Sequence, residues 1–292
     1  MHTKATITNL NYDQANGHSL DMLRLDQVHP VVSGNKWYKL KGYLDEVIQQ
    51  KAHTIASFGG PFSNHIVALA FAGKTFGYST IGYIRYNQNE TLTPSLQEAM
   101  NYGMELKYLG RTHFQEQKAS LLDNKKTSGI YFIDEGGYGQ LGTTGFASLI
   151  EEVDLSPYDY IIAAVGTGTM LAGLINISND HQKIIGIPVL KNEGSIEKEI
   201  NTILPSMKKN YTLLHQFHQS GYAKTSEAQI KCMNQFWKDN NIATDIVYTG
   251  KLITAVDTLL KENYFDKYSR ILIVHSGGLQ GNRSLAPGIL DF

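Results

Sequence analysis

The chain has 292 residues, about twice a typical domain length of ~150, so it can form one large domain or two moderate ones. Its 26 lysine and arginine residues balance 27 aspartate and glutamate residues, which leaves no global basic field for nucleic acid or an anionic membrane surface. A content of 42% hydrophobic and 18% charged residues excludes an intrinsically disordered chain.

Cysteine content and the first residues indicate the compartment. Cys232 is the only cysteine, so no internal disulfide and no paired-cysteine zinc or redox motif can form. Residues 1–10 lack an apolar signal core, and no stretch approaches the ~18 apolar residues that span a bilayer. We therefore expect a cytoplasmic protein that binds neither nucleic acid nor a membrane.

Short apolar runs alternate with longer amphipathic segments along the chain, which is typical of parallel strands joined by helices. Strands are predicted at 54–58, 79–83, 105–109, 130–133, 160–165, 183–189, 211–215 and 270–274. Helices are predicted after 33–36 and at 64–76, 94–102, 114–122, 144–153, 170–177, 196–204 and 226–239. The pattern predicts an α/β fold, and 123–128 and 136–142 are candidates for a crossing between two sheets.

The strongest local motif lies at 160–174, where the apolar strand YIIAAV is followed by the loop GTGT and an apolar helix. Glycines permit a tight turn, and the first amides of a helix can bind a phosphate or carboxylate. An ordinary strand-to-helix turn is the alternative. A dinucleotide site is disfavoured because Gly173 comes two residues late and the next strand does not end in an acidic residue.

Two other motifs lack the context that their chemistry needs. Residues 73–75 resemble the end of a P-loop, but Ala68 stands where the first glycine should be. His215 and His218 lie three apart, but they straddle a predicted strand end without a carboxylate-rich neighbourhood. No metal site is predicted.

Three polar stretches fall at predicted turns: SGNK at 33–36, GGPFSNH at 59–65 and HSGG at 275–278. Ligands of open α/β sheets bind beyond the carboxyl ends of the strands, where the second and third stretches and the glycine loop fall. One shared cleft is therefore expected. The alternatives are that Ser63 is only a helix cap and Lys36 only a solvated surface lysine.

The chain carries six ordered motifs: SGNKWYKLK, FGGPFSNH, DEGG, VGTGTMLAGL, VYTGK and VHSGG. Together they resemble the family of 1-aminocyclopropane-1-carboxylate (ACC) deaminase and D-cysteine desulfhydrase over nearly the whole chain. The resemblance implies two three-layer α/β domains with mostly parallel sheets, similar to the tryptophan synthase β-subunit, with pyridoxal 5′-phosphate (PLP) between them. This is PLP fold type II. We expect a large domain at 1–45 and 139–292, a small domain at 46–138, and a homodimer.

The resemblance also implies roles for particular residues. Lys36 is similar to the lysine that forms a Schiff base with PLP and acts as the mobile base. Asn64 is expected near the phenolic oxygen of the cofactor and Ser63 near the substrate carboxylate. Tyr222 and Tyr248 match two active-site tyrosines. The loop that binds the cofactor phosphate corresponds to Gly166, Thr167, Gly168, Thr169 and Met170.

Two further positions inform substrate choice. Thr249 falls where the family places the partner of the pyridine nitrogen, and Ser276 falls near the same ring edge. ACC deaminases carry an acidic and an apolar residue there, whereas D-cysteine desulfhydrases carry small hydroxyl residues. Phe62 and Ile66 depart from the family pattern and are expected to make the substrate pocket more apolar.

The prediction is a PLP enzyme that eliminates the β-substituent of a small amino acid, with D-cysteine, giving pyruvate, ammonia and sulfide, as the leading substrate. The first alternative is an ACC deaminase or an enzyme that deaminates another small amino acid. The second is a non-catalytic protein that binds an anion at the glycine loop.

Overall fold

The computed structural model describes residues 2–12, 15–87, 90–123, 129–191, 194–204, 211–218, 221 and 224–292. The strands within these residues are β1 Ile7–Asn9, β2 Ser19–Arg24, β3 Thr54–Gly59, β4 Ser79–Arg85, β5 Glu105–Leu109, β6 Ile130–Ile133, β7 Tyr160–Val165, β8 Lys183–Pro188, β9 Tyr211–Leu213 and β10 Arg270–His275. The α-helices are α1 Asn35–Gln49, α2 Asn64–Phe76, α3 Pro94–Asn101, α4 Phe114–Asp123, α5 Gln140–Thr144, α6 Thr169–Ile177, α7 Ser195–Ile203, α8 Glu227–Asn240 and α9 Thr249–Lys261.

The strands form two sheets that share no strand. One sheet has the order β1-β2-β10-β7-β8-β9 and the other the order β5-β4-β3-β6. Strand pairs are parallel throughout, except that β1 runs antiparallel to β2. The predicted fold class is confirmed.

Helices cover both faces of each sheet, which explains why the central strands are apolar at consecutive positions. In β7, Ile161, Ala163 and Val165 belong to one apolar cluster of the large sheet. Tyr160 and Ile162 belong to the cluster on the opposite face. The small sheet likewise separates two apolar clusters, so each half of the fold has three layers.

The chain leaves the small sheet after β6 and enters the large sheet again at β7. Helix α1 packs against α2, which covers the small sheet, and against α5, which follows the crossing. We propose that the domains follow this division of strands, with a small domain at 46–138 and the remainder of the chain in the large domain.

Four elements differ from the predictions. Strands β1 and β2 and helix α9 were not predicted. The helix predicted at 144–153 is instead the short helix α5 followed by a 3₁₀ segment, Gly145–Glu151. A Cβ on Gly145 would lie 1.9 Å from the carbonyl oxygen of Tyr38. The close approach of α1 therefore shapes the backbone here more strongly than helical periodicity does.

Among the described residues, no helix is both long and apolar enough to cross a membrane.

Candidate active site

A cavity of about 760 Å³ lies at the carboxyl ends of strands from both sheets. Its lining includes the loop after β3, the turn after β6 and the loop after β7, together with the first turn of α1. Parallel strands place these loops at one edge of each sheet, which is where open α/β sheets bind ligands.

Close backbone contacts bring the three polar stretches together. The Asn35 amide donates to the carbonyl oxygen of Ser276 at 2.9 Å. Gly34 has a φ of +66°, and a Cβ there would lie 1.8 Å from the same oxygen. Asn64 Nδ2 donates to the carbonyl oxygen of Gly278 at 3.2 Å. The starts of α1 and α2 are thus both joined to the loop that follows β10.

Lys36 lines the cavity from the first turn of α1. Its Nζ donates to Oδ1 of Asn35 at 2.6 Å. Burial lowers the pKa of Lys36 to about 8, and the negative charge of Asp245 opposes this shift. A substantial fraction of the amine is therefore neutral near pH 8, as an attacking nucleophile must be.

Ser63 and Asn64 also line the cavity, at the start of α2. Ser63 Oγ accepts from the Ile66 amide at 3.3 Å, so the serine does cap the helix, as the structural alternative supposed. Asn64 Oδ1 is buried and has no hydrogen-bond partner among the described residues. A buried acceptor of this kind needs a donor, which a ligand in the cavity can supply.

His65 is a cavity residue that the sequence analysis did not single out. Its Nε2 lies 2.8 Å from Oγ of Ser57, and its Nδ1 is buried without a partner among the described residues. Burial, followed by the charges of Lys36 and Lys39, holds the pKa of His65 well below its usual range. The imidazole is therefore neutral and offers one free ring nitrogen to a ligand.

The glycine loop between β7 and α6 lies across the cavity from α1. Gly166, Thr167, Gly168 and Met170 line the cavity, whereas Thr169 is fully buried beneath them. Gly168 has a φ of +81°, and a Cβ on it would lie 2.5 Å from Cγ1 of Ile200. Because α6 begins directly after this turn, its first amides and its dipole favour an anion at the loop.

Lys39 is a second lysine beside this loop, and it was not among the predicted site residues. The side chain is 4% exposed, and its Nζ donates to the carbonyl oxygen of Gly136 at 2.9 Å and to Oγ1 of Thr167 at 3.4 Å. Burial and the charge of Lys36 lower the pKa of Lys39 well below its usual range. Its spacing of three residues from Lys36 places both amines on one helix face, so this residue was predictable from α1.

Of the remaining predicted residues, only some line the cavity. Tyr248 lines the cavity, and its ring lies 3.1 Å from where a Cβ on Gly166 would stand. Thr249 is 1% and Ser276 5% exposed, and neither side chain is among those that line the cavity. Tyr222 lies outside the described residues.

Asp245 also lines the cavity, and it was not among the predicted site residues. Its Oδ1 accepts from both the amide and the hydroxyl of Thr249 at 2.8 Å, and its Oδ2 accepts from the Val247 amide at 2.9 Å. Burial raises the pKa of Asp245, whereas these hydrogen bonds oppose the rise. The Asp245 carboxylate therefore caps the start of α9, and the side chain of Thr249 is one of the groups that donate to it.

Phe62 and Ile66, which were both expected to make the pocket more apolar, lie in different surroundings. Phe62 lines the cavity. Ile66 instead belongs to the buried apolar cluster between α2 and the small sheet, and it is not among the cavity-lining residues. An apolar effect on the pocket is therefore expected from Phe62 alone.

These residues fit PLP. The glycine loop lines the cavity at the start of α6, where the first amides favour a phosphate, and the buried amine of Lys39 adjoins the loop. The amine of Lys36 can attack an aldehyde, and the unpaired Oδ1 of Asn64 offers a polar contact.

A family model described as "Pyridoxal-phosphate dependent enzyme" matches residues 9–277. The chain belongs to this family. It is a PLP-dependent enzyme, so the predicted cofactor is confirmed and the alternative of a non-catalytic anion-binding protein is wrong.

Relatives support the narrower resemblance as well. A Thermotoga maritima protein provisionally named 1-aminocyclopropane-1-carboxylate deaminase is 25% identical, over 91% of this chain and 90% of the relative. A mitochondrial Arabidopsis thaliana protein, named bifunctional D-cysteine desulfhydrase/1-aminocyclopropane-1-carboxylate deaminase, is 23% identical over 91% of this chain and 74% of its own length. The crystal structure of an ACC deaminase homologue superposes with a TM-score of 0.83 at 22% identity, covering 96% of this chain and 91% of that one. The predicted family and the type II fold are confirmed.

Replacing Lys39 with methionine is expected to weaken PLP binding by ~10- to 100-fold, because it removes a buried amine that donates beside the phosphate site and that a bound phosphate dianion would hold protonated. Binding of pyridoxal, which lacks the phosphate, should change little. Titration of the apo-enzyme with each compound, followed by absorbance, measures both affinities. Lys41→Met, at an exposed position of the same helix, is the control. An equal loss for pyridoxal and PLP would contradict a phosphate role for Lys39.

Proposed function

We propose that the enzyme converts D-cysteine and water to pyruvate, ammonia and hydrogen sulfide by β-elimination. We base this choice on the family resemblance, in which Thr249 and Ser276, with neutral hydroxyls, match positions where ACC deaminases carry an acidic and an apolar residue. Both are buried outside the cavity lining, where Thr249 contacts Asp245 and Ser276 contacts Asn35, two residues of that lining. An acidic partner would hold a proton on the pyridine nitrogen and strengthen the electron sink, which ring opening needs more than expulsion of a thiolate does. The hydrogen bond from the Thr249 hydroxyl to Asp245 holds this side chain in one orientation.

Substrate binding is assigned to the start of α2. Ser63 Oγ and the first amides of α2 can hold the substrate carboxylate, since the amino end of a helix favours an anion. The neutral imidazole of His65 adds a polar contact without adding a positive charge. Phe62 covers part of the cavity with an apolar ring, which supports a small β-substituent.

Proton transfer is assigned to Lys36 and Tyr248. When bound, PLP stabilises negative charge at the α-carbon of the amino acid. The neutral amine of Lys36 takes the α-proton, the bond between the β-carbon and sulfur breaks, and the sulfur leaves with the electron pair and a proton from Tyr248. The enamine that remains reacts with water to give pyruvate and ammonia, so all atoms are accounted for.

A second candidate is ACC deamination to 2-oxobutanoate and ammonia. The names of the Thermotoga and Arabidopsis relatives favour it. The same amine, carboxylate site and cofactor would serve both reactions.

Turnover of D-cysteine and ACC by the purified enzyme tests the choice. We expect kcat/KM for D-cysteine to exceed that for ACC by ~10-fold or more, a difference of at least ~1.4 kcal/mol in transition-state binding. Pyruvate, sulfide and 2-oxobutanoate are measured, with L-cysteine as the stereochemical control. Rapid ring opening with little action on D-cysteine would refute the substrate and leave the cofactor assignment intact.

We also propose a cytoplasmic location, which the single cysteine, Cys232, supports. The homodimer stays a prediction from the family resemblance.

A further inference from the structure

Arg85 is a cavity residue for which the reaction above has no use. It is the last residue of β4 and lines the cavity. Because Gly59 of β3 pairs with Ile84, Arg85 stands beside Gly60 in the loop that leads to Ser63. Its Nη2 lies 3.8 Å from where a Cβ on Gly60 would stand. The guanidinium therefore adjoins the loop assigned to the substrate.

Among the described residues, the other basic side chains that line the cavity have polar partners within the protein. Lys36 contacts Asn35, Lys39 contacts Gly136 and Thr167, and Lys118 pairs with Asp134 at 2.7 Å. The guanidinium of Arg85 makes no hydrogen bond or ion pair with any of the described residues.

The guanidinium of Arg85 contacts an aromatic ring, which orients the group but does not neutralise its charge. Its Cζ lies 5.4 Å from the ring centroid of Phe114. Stacking over a ring holds the guanidinium plane but uses none of its five N–H donors. The side chain is half-buried, so its charge is only partly screened by water. A planar fork of this kind matches a carboxylate, sulfate or phosphate.

The order of the small sheet separates Arg85 from the phosphate loop. Gly136 follows β6, and a Cβ on it would lie 3.0 Å from Cγ2 of Thr167 in that loop. In the order β5-β4-β3-β6, β6 and β4 flank β3 on opposite sides. The cofactor phosphate is therefore assigned to the β6 side of the loop after β3, and Arg85 lies on the β4 side.

We propose that Arg85 binds a second anionic group, carried by the side chain of the amino-acid substrate. The inference rests on the proposed function, because it takes the bound ligand to be an amino acid held at the start of α2. It extends the substrate class from D-cysteine to amino acids whose side chain bears a carboxylate, sulfate or phosphate.

Matched acid and amide ligands test this inference on the PLP-loaded enzyme. Aspartate is compared with asparagine and glutamate with glutamine, each as both enantiomers, by calorimetric titration. We expect the wild type to bind the acid at least ~10-fold more tightly than the amide in one of the pairs, as a charge-assisted contact would give. Arg85→Met should remove that preference and leave the amide Kd within about threefold. Arg85→Gln is the second variant if Arg85→Met folds poorly.

Arg111→Met is the matched control. Arg111 also lies over a ring, with Cζ 5.9 Å from the centroid of Tyr86, but it pairs with Glu90 at 2.8 Å and does not line the cavity. It should leave every Kd unchanged.

Two results would overturn the inference: no acid preference in either pair, or an equal loss for acid and amide in the Arg85 variants. The second result would mean that Arg85 contacts the α-carboxylate or supports the pocket. Failure of the proposed function would be seen separately, in the turnover assays. An enzyme that prefers acidic ligands but turns over neither cysteine nor ACC would support the role of Arg85 and refute the proposed function.

Discussion

Replacing Lys36 with alanine is expected to abolish the covalent bond between enzyme and PLP and to lower turnover by roughly 10²- to 10⁴-fold, because one amine serves as nucleophile and base. Borohydride reduction of the wild type, followed by peptide mapping, should place the cofactor on Lys36. Lys41→Ala, at an exposed position of the same helix, is the control. Labelling of Lys39, Lys41 or Lys251 instead would refute the assignment.

The pH dependence of cofactor capture adds a test of the same amine. Burial lowers the pKa of Lys36 to about 8, so the reactive neutral form increases as the pH rises towards that value. The rate at which apo-enzyme captures PLP should therefore rise with pH and level off above about pH 9. A rate that keeps rising towards ~10.4, the ordinary lysine pKa, would show that the amine is not perturbed.

Replacing Gly168 with aspartate is expected to weaken PLP binding by roughly 10²-fold or more, for two physical reasons. The residue has a φ of +81°, which side chains rarely adopt, and its Cβ would lie 2.5 Å from Ile200. A carboxylate at the start of α6 would also repel the phosphate. Equilibrium dialysis of the variant against PLP measures the loss.

Two control variants distinguish the effect of strain and steric clash from the effect of charge repulsion. Gly168→Ala carries the strain and the clash without the charge, so the difference between alanine and aspartate reports the repulsion. Gly77→Asp places the same side chain at a φ of +78° with no atom within 4 Å of the Cβ, at the end of α2. It should cost stability but not PLP affinity. Wild-type PLP retention by Gly168→Asp would mean that the loop is only a turn.

The core strands were predictable because burial on both faces leaves a simple pattern. The predicted bounds of β5, β6 and β7 agree with the structure. Strands β6 and β7 are apolar runs between turn residues, whereas β5 alternates charged and apolar residues at the edge of its sheet. Strand β2 escaped prediction because Asp21 and Arg24 interrupt its run. Its Asp21 is buried and accepts a hydrogen bond from the Tyr158 hydroxyl at 2.8 Å, a contact 137 residues away that no local pattern reveals.

The site was predictable where one motif carries it and not where two segments must meet. The glycine loop was found from its own motif, whereas Lys36 and Ser63 were assigned through the family resemblance, and the structure places all three on one cavity. Asp245 is informative only once α9 is known to begin four residues later, and Arg85 only once β4 is known to lie beside the loop after β3. Both depend on pairings between distant segments rather than on local sequence.

The contact between Asn35 and Ser276 also bears on when the enzyme matures. The helix that carries Lys36 is made early in synthesis, yet its first amide is bound by a carbonyl 241 positions further along the chain. Strand β10 must enter between β2 and β7 before that carbonyl is in place. Pairings of such long sequence separation form late in folding, since they close the largest loops. We therefore expect a nascent chain to present its reactive lysine without the shaped pocket, and to retain the cofactor only after the last strand of the large sheet has been added.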